Sequence, residues 1–231
     1  MITTKADIHL EKAISDSLFL LSVKLQRYKQ WIPGMFMQIS LKERTASEPW
    51  LDGHSFSFSS WGTATAQVLV RRDGAFTTEL VQRSIEGFTT SVRYPFGDFL
   101  LNSNKSKVFL AGGAGISVFL SYLDFVNSSG IYSGEVLLFY ATKRRLESIE
   151  NIYGKPIPNF ILVKQFFTDV HESEYTGRFT IEDLNNTNSD PNDIEFFICG
   201  PPKFNSFWAD KLKAVGIFPK VEQWENQVSI G

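Results

Sequence analysis

The segment KVFLAGGAGIS, residues 107–117, decides the fold, because an apolar run ends there in glycines and leads into a helical pattern reaching about Asn127. A short apolar run bounded by glycines is typical of a strand buried on both faces. Similar runs follow at 135–141 (EVLLFYA), 160–167 (beginning FILVKQF) and 195–199 (EFFIC), with helical segments between them and another over Phe204–Ala214. Buried strands that alternate with helices predict βαβ units, and hence an α/β domain with a five-stranded parallel sheet.

The sequence before this segment has a different pattern of hydrophobic and turn residues. Short stretches rich in Val, Ile, Phe and Thr lie between turn residues over about residues 17–101; they are SLFLLSVKLQ, MFMQISL, AQVLVR and FTTSVRY. Several partly alternating stretches in so short a span favour a small antiparallel barrel. We expect one short helix within it, around Thr77–Ser84. The predicted domains are therefore a β-barrel over residues 1–103 and the α/β domain over residues 104–231.

The composition is that of an ordinary globular protein. The 231 residues are 43% hydrophobic and carry a net charge of −2, which gives the surface no overall attraction for nucleic acid or anionic lipid. The single cysteine, Cys199, excludes an internal disulfide and a built-in iron–sulfur cluster, which needs several thiolates. The N-terminus lacks a signal-peptide pattern, and no apolar run has the length of a membrane span. We expect a cytoplasmic protein with no membrane span, nucleic-acid partner or metal site.

The glycine loop joins the first buried strand to the helix after it. It consists of Gly112, Gly113, Ala114, Gly115, Ile116 and Ser117. Glycines let the chain turn sharply here and let a ligand approach the backbone amides. The N-terminus of the following helix favours an anion, for which a pyrophosphate is a natural candidate. The spacing is not the G-x-G-x-x-G dinucleotide fingerprint. On its own the loop therefore leaves two interpretations open, a nucleotide site or a tight turn.

A second cluster follows the last buried strand and consists of Cys199, Gly200, Pro201 and Pro202. Ligands of open α/β sheets bind at the carboxyl ends of the strands, so the thiol is a candidate ligand contact. Proline at the start of a helix removes no needed donor, so the Gly-Pro-Pro sequence indicates a turn from strand to helix. A buried cysteine with a purely structural role is the alternative.

The barrel region contains its own cluster, GHSFSFSSW, residues 53–61. Alternation along a strand places His54 and Phe56 on one face and Ser55 and Ser57 on the other. Imidazole, phenyl and hydroxyl groups can stack on a planar ring or hydrogen-bond to its polar edge. A turn before the predicted short helix is a second candidate anion site, made of Arg72, Gly74, Ala75, Phe76, Thr77 and Thr78. For His54 alone, a histidine without any ligand is the alternative.

In this order, the motifs resemble the ferredoxin–NADP reductase superfamily, most closely the FAD/NAD(P)H-binding module of ferric reductases and NADPH oxidases. The motifs are HSFS (54–57), GAFT (74–77), YPFG (94–97), GGAGIS (112–117), GRFTIEDL (177–184) and CGPP (199–202). Each is modest alone, but six in the right order are specific. Three positions depart from the family pattern: Ser55 and Val118 stand where the family has proline, and Tyr94 where it has glycine.

The resemblance implies a Greek-key barrel that binds FAD and an α/β domain that binds NADPH or NADH. Phe56 would stack on the isoalloxazine ring, and Ser57 would hydrogen-bond near its reactive nitrogen. His54 and the Gly74–Thr78 turn would hold the rest of the FAD. The glycine loop would hold the nicotinamide dinucleotide's pyrophosphate, and Cys199 would flank the nicotinamide.

The resemblance also implies hydride transfer from NAD(P)H to FAD, followed by electron transfer to a ferric chelate, ferredoxin or another small-molecule or protein acceptor. Trp224 is the late aromatic residue that would cover the flavin, with packing elsewhere as the alternative. Arg144 and Arg145 follow the second buried strand, where arginine accommodates a 2′-phosphate, so NADPH is favoured over NADH. A solvated basic loop is the alternative there.

Two other functions remain open at this stage. The chain could be a reductase subunit that acts only when docked to an electron-transfer partner. It could also be a flavin- or nucleotide-binding sensor that has lost turnover. The oligomeric state is not predicted.

Overall fold

The computed structural model describes residues 1–132, 134–168 and 193–222. Two β-sheets form the framework, one antiparallel and one parallel. The strands are β1 (Ile2–Ala13), β2 (Leu18–Leu25), β3 (Phe36–Ile39), β4 (His54–Ser57), β5 (Thr65–Arg71), β6 (Phe88–Phe96), β7 (Ser106–Gly112), β8 (Val136–Thr142), β9 (Ile161–Phe167), β10 (Ile194–Cys199) and β11 (Lys220–Val221). The helices are α1 (Ala75–Glu86), α2 (Ile116–Ser129), α3 (Ile149–Tyr153) and α4 (Pro202–Ala214).

The first six strands form an antiparallel sheet in the order β4-β3-β6-β1-β2-β5. The two edge strands approach each other through a bridge between Phe58 and Val68 and a 2.8 Å hydrogen bond from Ser59 N to Gln67 O, so the sheet is a nearly closed barrel. Alternate residues point inward, and the indole of Trp31 stacks on Phe58 with 4.2 Å between ring centroids. Closure protects backbone groups that an open edge would expose. The predicted antiparallel barrel is confirmed.

Three local features of the barrel differ from the sequence-based expectations. Strand β1 is the longest in the barrel, yet no strand was expected before Ser17. Helix α1 extends beyond the expected Thr77–Ser84 by two residues at each end. Residues 94–96 of the YPFG motif continue β6, and the chain turns only after them, at Gly97, where φ is 101°.

The remaining strands form a five-stranded parallel sheet in the order β11-β10-β7-β8-β9, as predicted. Helix α2 is buried over nearly its whole length because it packs between this sheet and the barrel. The sheet and its helices, here called the α/β unit, comprise the described residues from Ser106 onward. The predicted division between residues 103 and 104 lies in the connection from β6 to β7 and stays a prediction.

The barrel and the α/β unit share an apolar core. Leu18, Leu20 and Leu69 from the barrel wall belong to one buried cluster with Ile116 and Phe119 of α2. Polar contacts across the same boundary fix the helix against the barrel: Trp61 N donates to Asp124 Oδ2 at 2.8 Å, and Ser121 Oγ donates to Ser60 O at 3.1 Å. Burial of this shared surface holds the two parts in contact.

Within the described part of the chain, no helix combines the length and the apolar character that a membrane crossing requires.

Candidate functional site

The glycine loop lies where β7 ends and α2 begins. Gly112 is the last residue of β7, Gly113–Gly115 form one turn of 3-10 helix, and Ile116 starts α2. Gly113 has a φ of 53°, a left-handed conformation that glycine adopts without strain. No side chain caps the start of α2, and the Ile116 amide donates within the preceding 3-10 turn, to Gly113 O and Ala114 O. The side chains of Ile116 and Ser117 are buried, and Ala114 is partly buried against the shared core.

The structure brings the glycine loop into direct contact with the Cys199–Pro202 cluster. Ala111 and Cys199 are partners in the register of β7 and β10. A Cβ on Gly115 would lie 2.2 Å from the carbonyl oxygen of Cys199, and one on Gly200 would lie 3.1 Å from Gly112 Cα. Only glycines permit so close an approach of two loops. Cys199 is fully buried at this contact, and Pro201 and Pro202 start α4 as predicted.

In the barrel, the HSFS strand meets the start of α1. The imidazole of His54 stacks on Phe76 with 3.8 Å between ring centroids and 9° between planes. The ring of Phe56 lies 6.3 Å from the same Phe76. Burial lowers the pKa of His54, an effect that the nearby Asp52 carboxylate opposes. The two predicted FAD-binding motifs therefore lie together.

The turn before α1 is held by its own hydroxyl groups. Thr77 Oγ1 accepts a 2.9 Å hydrogen bond from Asp73 N, and Thr78 Oγ1 donates to Gly74 O at 2.8 Å. Gly74 has a φ of 103°, and nothing lies within 4 Å of the position its Cβ would take. The first turn of α1, at Ala75, thus opens onto free space, as an anion site at a helix N-terminus requires.

Arg72 is directed away from this opening. Its guanidinium donates to the carbonyl oxygen of Asp16 at 2.7 Å and lies 5.5 Å from the ring centroid of Phe19. In this arrangement the guanidinium faces the β1–β2 turn rather than the start of α1.

Ser57 carries the clearest sign of a ligand on the barrel wall. The residue is 2% exposed, and its Oγ has no hydrogen-bond partner among the described residues. A buried hydroxyl without a partner is costly, and such groups concentrate at functional sites. Phe56 differs from the expectation of a free stacking surface, since its ring is 8% exposed and packs in the barrel core. Ser55 is partly exposed and pairs with Gln38 in β3.

A planar cofactor with a phosphate tail fits these features. Its ring edge would supply the partner that Ser57 Oγ lacks, and its phosphates would occupy the open first turn of α1. The described residues contain no group of three or more His, Cys, Asp or Glu side chains arranged to hold a metal ion.

The two candidate 2′-phosphate residues have different surroundings. Arg144 forms an ion pair with Asp16 of the β1–β2 turn. Arg145 is exposed, with its guanidinium 6.0 Å from the ring centroid of Phe167. Its charge is therefore the one better placed to meet a ligand phosphate.

Sequence reasoning missed a partly buried ion pair beside the glycine loop. Arg71, the last residue of β5, binds Glu147 through two hydrogen bonds of 2.8 Å, and its Nη2 lies 3.6 Å from the position of a Cβ on Gly113. Ser15 Oγ and Thr142 Oγ1 also donate to the same carboxylate. Burial alone raises the pKa of Glu147, but these donors outweigh it and lower the pKa to about 2. The charged residues of VRR and RRLE are evident in the sequence. The sequence does not show that Arg71 and Glu147, which are 76 positions apart, pair with each other.

Glu222 is a second buried carboxyl that the sequence did not single out. It follows β11, and its backbone amide donates to Ile198 O at 2.9 Å, one residue before Cys199. Burial raises its pKa to about 7, and the Asp98 carboxylate adds to the effect. A carboxyl that titrates near neutral pH therefore lies close to the Cys199 corner.

Two predicted features lie outside the described residues. They are Trp224 and the GRFTIEDL motif at 177–184.

Sequence comparisons find similarity to parts of larger curated proteins. No family model matches it. It is 26% identical over 188 residues to the anthranilate 1,2-dioxygenase electron transfer component of Acinetobacter baylyi, covering 77% of this chain and 53% of that protein. It is also 26% identical over 144 residues to one component of the Na⁺-translocating NADH-quinone reductase of Klebsiella pneumoniae, covering 57% of this chain and 35% of that protein. The chain thus spans about half, or less, of the relatives it matches.

Solved structures share the fold. Flavohemoglobin from Malassezia yamatoensis, with bound FAD and heme, matches with a TM-score of 0.77 and 16% identity, over 96% of this chain and 60% of that one. A ferredoxin–NADP⁺ reductase from Neisseria gonorrhoeae, with bound FAD and NADP, matches with a TM-score of 0.72 and 18% identity, over 98% of this chain and 95% of that one.

The antiparallel barrel and the parallel sheet agree with the structural comparisons. This chain has the two-part fold of ferredoxin–NADP reductase-like FAD/NAD-binding modules. The predicted resemblance to that superfamily is confirmed at the level of the fold. The narrower likeness to ferric reductases and NADPH oxidases stays a prediction.

Proposed function

We propose that the chain is an FAD-dependent NAD(P)H oxidoreductase. The observation that carries this proposal is the buried, unpartnered hydroxyl of Ser57, in a barrel whose phosphate-binding helix start lies beside the same strand. Bound FAD would accept a hydride from the reduced nicotinamide and could pass its electrons on singly. The names of the relatives, an oxygenase electron transfer component and part of an NADH-quinone reductase, support the same chemistry.

The chain's own residues would bind and orient the two cofactors. Residues 1–103 would hold FAD, with Ser57 hydrogen-bonded to the ring, His54 beside the ribityl chain and the open start of α1 on the pyrophosphate. Residues 104–231 would hold NAD(P)H, with its pyrophosphate on the glycine loop and its nicotinamide beside Cys199. The shared core fixes the barrel against α2, and this rigid contact would set the distance between the two rings.

The acceptor and the location belong to the proposal as well. A ferric chelate, a ferredoxin or another carrier would receive the electrons, and the protein would act in the cytoplasm. A second candidate is a reductase subunit that turns over only with its docked partner, because the first relative is itself named a component of a larger system.

Steady-state oxidation of NADPH and NADH tests the proposal. The purified chain, loaded with FAD, is assayed with ferricyanide, a ferric chelate, a ferredoxin and a haem protein in turn, with FAD-free protein as the control. FAD-dependent oxidation with a free acceptor supports the first candidate. Flavin reduction without turnover supports the second, docked candidate. Absence of both contradicts the proposal.

Ser57→Ala is expected to slow reduction of the flavin by about 10- to 100-fold. The reason is the loss of one hydrogen bond to the reacting ring, which typically contributes about 1.5–3 kcal/mol when charge develops there. Anaerobic stopped-flow absorbance measures the rate at saturating NADPH. Ser57→Thr keeps the hydroxyl and should retain most of the rate. An unchanged rate in Ser57→Ala would show that this hydroxyl does not contact the reacting ring.

Arg145→Ala is expected to reduce kcat/KM for NADPH by about 10-fold while leaving that for NADH nearly unchanged, because an exposed guanidinium contributes mainly to the 2′-phosphate. Arg144→Ala should have a smaller effect, since that side chain is paired with Asp16. The ratio of the two kcat/KM values is the measurement. If it stays constant in both variants, the 2′-phosphate binds elsewhere.

A further inference from the structure

The hydroxyl of Ser59, two residues beyond Ser57, is a second buried hydroxyl without a hydrogen-bond partner among the described residues. Ser59 is 3% exposed, and among the described residues its Oγ makes no hydrogen bond. Its backbone, in contrast, is fixed, because its amide donates to Gln67 O at 2.8 Å. The neighbouring Ser60 Oγ accepts a hydrogen bond from Gln67 N at 2.8 Å, so the local hydroxyls are not generally unpaired.

The two unpartnered hydroxyls lie on the same face of the barrel wall. Phe58, between them, points into the barrel core and is bridged to Val68, which belongs to the same core. Side chains alternate along a strand, so Ser57 and Ser59 project to the opposite face. In the register of that bridge Leu69 is opposite Ser57, and residues opposite each other in an antiparallel pair share a face.

Leu69 identifies which part of the molecule packs against that outer face of the barrel wall. Its side chain is 5% exposed and belongs to the cluster that the barrel shares with α2, together with Ile116 and Phe119. Ser57 and Ser59 therefore face the boundary between the barrel and the α/β unit. Ser59 lies two residues beyond the end of β4. Two hydroxyls at positions i and i+2 on one face can meet two polar atoms on the edge of one planar ring.

We propose that Ser59 is a cofactor-binding residue, whose hydroxyl bonds a second polar atom on the edge of the same heterocyclic ring that Ser57 contacts. The inference rests on the proposed function, since the ring is the flavin's. Buried hydroxyls usually have a partner, as Ser84 does when its Oγ donates to Val81 O at 2.7 Å. An unpaired buried hydroxyl costs stability in the free protein and regains a partner when the ring binds.

The test compares Ser59→Ala with Ser57→Ala and the control Ser84→Ala in the full chain freed of flavin. FAD affinity is measured by the quenching of flavin fluorescence on titration, and the thermal midpoint is measured without flavin. For Ser59→Ala we expect a dissociation constant raised about 5- to 10-fold, the cost of one hydrogen bond, with an unchanged or higher midpoint. The visible spectrum of the bound flavin should shift as well.

The control variant should show the opposite pattern of effects on FAD affinity and thermal midpoint. Ser84→Ala should lower the midpoint and leave FAD affinity unchanged. If Ser59→Ala behaves like Ser84→Ala, or changes neither quantity, the proposal is overturned. If the wild-type chain binds no flavin at all, the proposed function itself has failed, which is a different outcome from normal FAD binding by both wild type and Ser59→Ala.

Discussion

Gly115→Ala is expected to lower the thermal midpoint by about 6–12 °C and to abolish binding of nicotinamide dinucleotides. The added Cβ would lie 2.2 Å from the carbonyl oxygen and 2.5 Å from the carbonyl carbon of Cys199, so backbone must move to admit it. Overpacking of this kind costs about 3 kcal/mol, and each kcal/mol lowers the midpoint of a chain this size by roughly 2–4 °C. Helix propensity predicts the reverse sign, because Gly115 has helical backbone angles and alanine is favoured there by about 1 kcal/mol.

Thermal unfolding and titration with NADP⁺ measure the two effects. Gly154→Ala is the control, because nothing lies within 4 Å of its Cβ position and only its φ of 64° opposes the change. That variant should lose about 1–2 kcal/mol and bind dinucleotides normally. A Gly115→Ala protein with wild-type stability and binding would contradict the observed contact between the two loops.

Glu147→Ala is expected to cost about 2–3 kcal/mol of unfolding free energy at pH 7. The change leaves the Arg71 guanidinium without the carboxylate that accepts both of its 2.8 Å hydrogen bonds. Removing one member of a fully buried pair typically costs about 3–5 kcal/mol. The cost here is smaller because the Arg71 side chain is 30% exposed and keeps its 3.0 Å hydrogen bond to Ser17 Oγ. Urea unfolding at pH 7 measures the loss. Glu150→Ala removes an exposed carboxylate on α3 and should cost less than about 1 kcal/mol.

The pH dependence of stability gives an independent check on Glu147. Its pKa in the folded protein is about 2, against an ordinary value of 4.5. A depressed pKa stabilises the fold above the unfolded-state value and loses that contribution as the pH falls, here between about pH 4.5 and pH 2. The contribution is about 3 kcal/mol from a shift of this size. Wild type should lose it across that window, whereas Glu147→Gln should show a flatter profile. A double replacement, Arg71→Met with Glu147→Leu, should recover only part of the stability, because it leaves the hydroxyls of Ser15 and Thr142 without their acceptor.

The parallel sheet could be predicted because its strands are buried on both faces. EVLLFYA and EFFIC are continuous apolar runs, a pattern that few other elements show. The glycine loop could be placed for a similar reason, since glycines between a strand and a helix have a limited set of uses. Its meeting with Cys199 follows from the rule that ligand loops gather at the carboxyl edge of the sheet.

Strand β1 was missed although its alternation is regular. Thr4, Ala6 and Ile8 point inward, but two of these three are small or polar and give a weak hydrophobic signal. The charged residues Lys5 and Asp7 occupy the alternate positions, as expected for the solvent-facing side of a strand. They are the stronger evidence for β1 in the sequence.

The buried pair and the unpartnered serines could not be predicted, because they depend on contacts between distant segments. Arg71 and Glu147 are ordinary charged residues in sequence, and only the packing of the barrel on the α/β unit buries them. Ser59 is one of four serines in GHSFSFSSW, and nothing local separates the paired hydroxyl of Ser60 from the unpaired one of Ser59. Tertiary burial decides which polar groups lack partners.

The central claim is that one chain brings a flavin and a nicotinamide together for hydride transfer. Anaerobic titration of the FAD-loaded protein with NADPH, and separately with NADH, tests it most directly through the yellow absorbance of oxidised flavin. We expect stoichiometric bleaching by at least one nicotinamide, slowed in Ser57→Ala and prevented in Gly115→Ala. Tight FAD binding without bleaching by either nicotinamide would contradict it.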